Sequence, residues 1–196
     1  MKKTINKILM MVVAVMMLLP LGSCNYNKLV EKQQKVDQSW AQVENQYQRR
    51  ADLIPNLVNT VKGYSNHESE TFEKVTLARA KATSITIDAD NLTEENLAKF
   101  QAAQNELSQA LKSLLAVTEA YPDLKANENF MNLQTQLEGT ENRIATERMR
   151  YTEAVMDYNT AIKKFPTTIY AGWFGFDPKP QFKAEEGAQR APEVSF

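Results

Sequence analysis

The sequence predicts an all-α fold, an elongated antiparallel bundle of three to four long helices that ends in an irregular aromatic segment. Apolar residues recur at steps of three and four over long stretches, which places them on one face of a helix. The 196 residues include only 6 Gly and 7 Pro. The long stretches are rich in Ala, Glu, Gln, Lys and Leu, which favour helix, and the sequence offers no convincing run of strands. Several amphipathic helices joined by short connections indicate a bundle.

The first 23 residues have the organisation of a secretory signal. Lys2, Lys3 and Lys7 give a positive start, and residues 8–19 are uninterrupted apolar residues. A basic start, a short apolar core and small residues at a cleavage site are typical of such signals. An apolar helix of this length spans about 18 Å, well short of the ~30 Å hydrocarbon core of a bilayer. We therefore expect a cleaved signal rather than a spanning anchor.

The end of this signal resembles the bacterial lipobox, because Leu21-Gly22-Ser23 precedes Cys24, the single cysteine of the chain. The resemblance implies cleavage before Cys24 and acylation of its sulfur, by chains such as palmitate, which gives stable anchoring. An uncleaved signal anchor is the alternative. Because lysines stay on the cytoplasmic side, we expect a lipid-anchored protein of the bacterial cell membrane or outer membrane, facing the periplasm or exterior, with a short tether over 24–31.

The first long helix is predicted to end near Lys62, where Gly63 can stop it. Pro55 lies inside this helix, and a proline there costs about 3 kcal/mol and usually causes a kink. Because the apolar pattern continues across the proline, we expect a bent but continuous helix. Its predicted buried stripe is Val36, Trp40, Val43, Tyr47, Ala51, Ile54, Val58 and Val61.

Three further segments complete the predicted bundle over 32–166. A weaker stripe up to Ser84 is either a second helix or an extension of the first. The next helix is capped by Asn91 or Thr93 and is stopped by Pro122. The last one is predicted over 127–165.

The composition changes after Pro166. We predict an extended aromatic segment over 167–184 and a disordered tail over 185–196. The segment either packs back over the bundle end as a strap or contacts a partner or the membrane, since aromatic side chains supply large contact areas. Its aromatic residues are Tyr170, Trp173, Phe174, Phe176 and Phe182.

Two charged clusters follow helical spacing. Acids and bases at this spacing usually form a solvated, mutually paired face. The alternatives are that the clusters meet across the bundle or form a binding patch. The first cluster is Arg49, Arg50 and Asp52, and the second is Glu141, Arg143, Glu147, Arg148 and Arg150.

The residue inventory argues against most enzyme classes. One cysteine cannot form an internal disulfide, and the single histidine, His67, cannot build a His-rich metal site. The remaining enzyme hypothesis needs a carboxylate pair such as Glu44 and Glu141 in one pocket. Removal of the signal leaves 20 basic against 24 acidic residues, which gives no electrostatic reason to bind nucleic acid. We expect no catalysis, no metal and no cofactor.

Several stretches resemble the LemA family. The most specific runs from Trp40 to Val58, WAQVENQYQRRADLIPNLV, and Tyr121-Pro122-Asp123-Leu124 and Phe165-Pro166 add to it. The resemblance covers about residues 26–182. It implies a membrane-tethered, extracytoplasmic helical bundle and no particular reaction. Many members keep an uncleaved N-terminal transmembrane helix. This sequence departs from that pattern at Pro20 and Cys24, which indicate a lipid anchor instead.

These observations predict a non-catalytic interaction module of the bacterial cell envelope with an unidentified envelope protein as partner. A self-associating structural or membrane-organising protein is the alternative, and heptad-like stripes are compatible with a homo-oligomer or coiled coil. Cys24 is the predicted lipidation site. The candidate interaction residues are Trp173, Phe174, Phe176, Arg49, Arg50 and Asp52.

Overall fold

A computed structural model describes residues 2–65 and 68–183, without the side chains of 2–9, 11–25 and 90. His67 and the tail predicted to be disordered lie outside the described residues, and so does the side chain of Cys24. Over those ranges the chain is all-α with no strand, as predicted. The helices are α1 (Lys2–Lys62), α2 (Ser69–Ser84), α3 (Glu94–Thr118), α4 (Pro122–Lys125), α5 (Glu128–Lys163) and α6 (Thr167–Tyr170), with 3-10 turns at Ala89–Asn91 and Gly172–Phe174.

The prediction of a tether over 24–31 is wrong, because these residues belong to helix α1. No Gly or Pro interrupts residues 25–31, and Leu29 is buried. Leu29 lies seven residues before Val36, so it extends the same apolar face by two turns. The other predicted boundaries are close to those observed. Of the two alternatives for the segment up to Ser84, α2 is a separate helix. Helix α5 ends two residues before Phe165, and Thr93 caps α3 by accepting a hydrogen bond from the Asn96 N–H.

The chain divides into two compact units, each made of two separate stretches of sequence. Unit 1 consists of residues 1–38 and 153–179, and unit 2 of residues 39–152 and 180–196. Unit 1 buries one face of α1 and one face of α5. Its buried apolar residues include Leu29, Val36, Ala154, Val155, Tyr158 and Ile162.

Unit 2 has a continuous apolar core between α1, α2, α3 and α5. Leu107 and Leu114, two turns apart on α3, are fully buried in it, and burial of a leucine contributes about 1.5–3 kcal/mol. The predicted stripe of α1 supplies the facing residues. The core includes Ile54, Leu57, Val58, Val61, Phe72, Val75, Ala78, Ala82, Leu111, Leu124, Phe130 and Leu137.

Helix α1 continues through Pro55 because a second helix replaces the hydrogen bond that the proline removes. Proline has no N–H, so the carbonyl oxygen of Ala51, four residues earlier, lacks its usual helical donor. Ala51 is buried, and water cannot easily serve it. The Nε of Arg79 on α2 donates to this oxygen at 2.7 Å. The proline thereby creates an acceptor that fixes α2 against α1.

Replacement of Arg79 by alanine should lower the free energy of unfolding by about 1–3 kcal/mol, because the buried Ala51 carbonyl is left without a donor. The matched control on the same helix is Lys81→Ala. Lys81 makes an exposed ion pair with Glu106, and such pairs contribute about 0–1 kcal/mol. Denaturant unfolding followed by circular dichroism measures both.

A double-mutant cycle tests the origin of this effect. Pro55→Ala supplies an N–H for the Ala51 carbonyl, so Arg79→Ala should cost clearly less in that background. An equal cost in both backgrounds would show that Arg79 acts independently of the proline.

Candidate interaction surface

The first predicted cluster separates into exposed and buried residues. Arg49 and Asp52 are exposed, and Asp52 accepts a hydrogen bond from the Gln48 side chain. Arg50 is only 1 % exposed, because it falls on the inner face of α1 beside Tyr47 and Ala51. The prediction that Arg50 lies on a contact surface is therefore wrong. A contact role for Arg49 and Asp52 stays a prediction.

The buried guanidinium of Arg50 joins α1 to α3 and α5. Its Nη1 donates to the Glu141 Oε1 at 2.7 Å and to the Ser108 hydroxyl at 2.8 Å. Its Nη2 donates to the backbone carbonyl and the side-chain oxygen of Gln104. A charge removed from water needs such partners, because an unpaired one costs several kcal/mol. Through Arg50 and Glu141 the two charged clusters meet inside unit 2.

Arg50→Ala should lower the free energy of unfolding by about 3 kcal/mol, since it strands the polar groups that the guanidinium satisfies. Arg49→Ala, one position away and exposed, should change it by less than about 0.5 kcal/mol. Glu141→Gln keeps an acceptor at a half-exposed site, so its cost should stay within about 1 kcal/mol. Equal losses for the two arginine variants would contradict the burial argument. Denaturant unfolding provides the comparison.

A second buried cluster in unit 2 is centred on Trp40. Its indole Nε1 donates to the Ile87 carbonyl at 3.0 Å, and its ring contacts Phe100, Tyr151 and Phe182 at centroid distances of 5.5, 5.5 and 6.1 Å. Edge-to-face and offset contacts of this kind add about 0.5–1.5 kcal/mol each. The helical spacing predicts a buried Trp40, but it gives no indication of Phe182, which comes from the far end of the sequence.

The segment that follows residue 176 packs back as a strap, here defined as residues 177–183. Within unit 2, the Tyr151 hydroxyl donates to the Pro180 carbonyl at 2.8 Å, and the Arg148 guanidinium lies 4.5 Å from the Phe182 ring centre. Within unit 1, Asn159 makes two hydrogen bonds to the backbone of Lys179, at 2.8 and 2.9 Å. Of the two predicted roles for this segment, packing back over the bundle is therefore confirmed for the strap.

Tyr158 is buried in unit 1, and Asp177 of the strap lies near it. Burial, together with the nearby carboxylates of Asp177 and Asp37, raises the pKa of Tyr158 to about 12. The phenol therefore stays neutral at any physiological pH.

The residues between α5 and the strap form a compact aromatic turn, here defined as residues 165–176. The prediction of an extended segment is wrong for this part, because α6 and a 3-10 turn occupy it. Gly175 has a φ of +76°, and the following Phe176 N–H donates back to the Ala171 carbonyl at 3.0 Å. A left-handed residue that reverses the chain in this way is typical of a glycine at a helix end.

The aromatic turn leaves large apolar side chains in water. Phe165 is 81 % exposed, Trp173 is 80 % exposed and Phe174 is 61 % exposed, and Ile169 is also exposed. Phe176 is buried, so its predicted role as a contact residue is wrong, whereas Trp173 and Phe174 have the exposure that such a role requires. Exposed apolar patches of this kind mark contact surfaces more often than isolated exposed residues do.

The aromatic turn lies against the beginning of the chain's predicted mature part. The Tyr26 ring contacts the Phe174 ring at 5.4 Å and the Phe176 ring at 5.5 Å between centroids. Tyr26 follows Cys24 by two residues within α1. Sequence reasoning missed this contact, because nothing in the spacing of either segment refers to the other.

The carboxylates of the enzyme hypothesis have different surroundings. Glu141 is paired with Arg50. Burial raises the pKa of Glu44, and the neighbouring Asp88 adds to the rise. Glu44 borders an open groove of about 160 Å³ next to Tyr47 and Gln104. Among the side chains that are described, no group of three or more His, Cys, Asp or Glu is placed to hold a metal ion.

One further property concerns membranes. Over the part of the chain with described side chains, none of the helices combines the length and the apolar character that a bilayer crossing needs.

Comparisons with known proteins identify the family. The model of the LemA family matches residues 39–196. Protein LemA of Metamycoplasma hominis is 24 % identical over 147 residues, which are 75 % of this chain and 60 % of the relative. Magnetosome protein MamQ of Magnetospirillum gryphiswaldense is 25 % identical over 168 residues, covering 77 % of this chain and 62 % of the relative.

A shorter match is closer in sequence. Magnetosome protein MamQ 2 of Paramagnetospirillum magneticum is 35 % identical over 86 residues, which are 44 % of this chain and 31 % of the relative. The chain thus spans between 31 % and 62 % of the length of these curated relatives. Because the family model covers most of the chain and the fold is the expected helical bundle, the chain belongs to the LemA family.

Proposed function

We propose that this chain is a lipid-anchored, extracytoplasmic member of the LemA family that acts as a non-catalytic interaction module of the bacterial envelope. The observation that carries the proposal is the exposed aromatic turn beside Tyr26, two residues from the predicted lipidation site. Large rings are normally buried, so a set of them left in water next to an anchor favours function by surface contact.

The N-terminus supports the anchor. A basic start, a short apolar core and Cys24 after Leu21-Gly22-Ser23 fit an acylated, exported protein. Acylation on Cys24 would hold unit 1 at the membrane through α1, which is helical from before the cysteine to Lys62. The names of the relatives refer to the family and to the magnetosome, and neither name denotes a reaction. This supports a role in association rather than catalysis.

Mass spectrometry of the native protein should find a mature N-terminus at Cys24 that carries acyl chains. Cys24→Ala should abolish acylation and release the processed chain from the membrane fraction, because nothing else in the proposal anchors it. Ser23→Ala, which keeps a small residue before the cysteine, is the matched control and should remain acylated. A native chain that retains Met1 and carries no fatty acid would contradict the anchor.

A protein partner would use the exposed helix faces of unit 2. Leu77 on α2 is 62 % exposed and borders a groove of about 410 Å³ that Phe72 and Lys62 also line. An apolar side chain at the edge of a groove with mixed polar walls is a suitable contact for a protein surface.

Photo-crosslinking in intact cells tests this partner. A photoreactive residue at Leu77 should give a discrete adduct with an envelope protein, whereas the same residue at Gln109, an exposed position on α3, should give little. Adducts only between copies of the chain would support the self-associating alternative. No adduct at either position would count against an interaction module that uses this face.

A further inference from the structure

We infer that the aromatic turn is a membrane-interface contact, in which Trp173 and Phe174 enter the headgroup level of the bilayer that holds the acylated Cys24. This inference rests on the proposed lipid anchor and deepens it. The anchored chain would then meet the membrane at two points, the acyl chains and the aromatic turn.

The geometry places the two points together. Cys24 and Tyr26 belong to the same helix, so they are separated by about 3 Å along its axis. The Tyr26 ring lies in edge-to-face contact with the Phe174 ring, 5.4 Å between centroids. When the acyl chains on Cys24 enter the hydrocarbon, the residues next to it lie at the membrane surface. The rings of the aromatic turn are one side-chain contact away from them.

The chemistry of the aromatic turn fits the lipid–water boundary. Residues 165–176, FPTTIYAGWFGF, contain no charged side chain. Tryptophan and tyrosine are enriched at this level of a bilayer, where an apolar ring and a polar edge are both satisfied. The largest exposed ring, Trp173, belongs to the preferred type and is 80 % exposed.

Three lysines and one aspartate lie next to the uncharged turn. Lys163 and Lys164 precede it directly, Asp177 follows it directly, and Lys28 follows Tyr26 by two residues on α1; all four are exposed. Lysines near an anionic bilayer surface contribute about 1 kcal/mol each to binding. An apolar centre with lysines next to it in sequence matches anionic headgroups above acyl chains. The lysines outnumber the single aspartate by three to one, so the charge around the turn is net positive.

The chain contains its own reporters for a test. It has two tryptophans: Trp40 is only 1 % exposed in the core of unit 2, and Trp173 is on the aromatic turn. The native, full-length product is bound to vesicles of phosphatidylethanolamine and phosphatidylglycerol, with and without bromine on the acyl chains. Bromine quenches only rings that reach the bilayer, so the expected result is bromine-dependent loss of the Trp173 emission and a shift of that emission to shorter wavelength.

Two variants assign the signal. Trp173→Phe leaves Trp40 as the single reporter, and its emission should be insensitive to bromine. Leu77→Ser removes an exposed apolar side chain elsewhere and should leave the quenching of Trp173 unchanged. Mass spectrometry and flotation with the vesicles are recorded on the same samples, so that acylation and binding are known independently of the quenching.

The outcomes separate the inference from the proposed function. An acylated, vesicle-bound chain with bromine-sensitive Trp173 supports both. An acylated, bound chain whose Trp173 is unaffected by bromine overturns the membrane contact and leaves the anchor intact. A shift to shorter wavelength without bromine sensitivity also overturns it, because a second copy or another protein then covers the ring. A chain without acyl groups that is bound and quenched keeps the contact and overturns the anchor, and an unacylated chain that does not bind overturns both.

Discussion

The buried guanidinium of Arg50 is the constraint on which the arrangement of unit 2 depends. A permanent charge inside a helical core is tolerated only when its donors find acceptors at defined positions. Those acceptors come from α3, through Gln104 and Ser108, and from α5, through Glu141. Apolar contacts among leucines and alanines tolerate small displacements, whereas hydrogen bonds to a planar fork do not. The charge therefore specifies how three helices align, while the apolar core supplies most of the stabilisation.

A hydrogen bond from a second arginine, Arg79, fixes α2 against α1. A proline inside a long helix would ordinarily be a defect, since it leaves a carbonyl without a donor. Here the defect becomes a specific acceptor for Arg79. Two arginines thus join α1 to its neighbours in unit 2, one through side-chain oxygens and one through a backbone oxygen. Both contacts require particular residues at particular turns, which apolar packing alone would not.

Helical periodicity predicted the helices and most of the core, because it depends only on the spacing within one element. Trp40, Val43, Tyr47 and Ile54 are buried as the stripe indicates. For Arg50 the two sequence signals disagree: its charge predicts exposure, whereas its position between Tyr47 and Ile54 on the same helix face predicts the burial that is observed. Over 24–31 only Leu29 extends the apolar stripe, and one residue is too weak a pattern to predict the helix that is found there.

Contacts between distant segments could not be predicted from spacing. Phe176 and Trp173 are both large aromatic residues of the same segment, yet Phe176 is buried and Trp173 is exposed. The difference arises at Gly175, whose left-handed conformation turns the chain back toward Ala171. The sequence indicates a concentration of aromatic residues after Pro166, and only the backbone decides which of them remain available for contact.

Neither unit can be completed before the C-terminal part of the chain has been synthesised. Each unit combines an early and a late stretch of sequence, so the two are interleaved along the chain. During synthesis the early stretch of unit 1, residues 1–38, emerges long before residues 153–179 can join it, and the cluster around Trp40 stays incomplete until Phe182 appears. Neither unit can therefore be excised as one continuous fragment. A truncation before the strap would remove Phe182 from the cluster around Trp40 although the helices that supply Trp40 and Tyr151 remain.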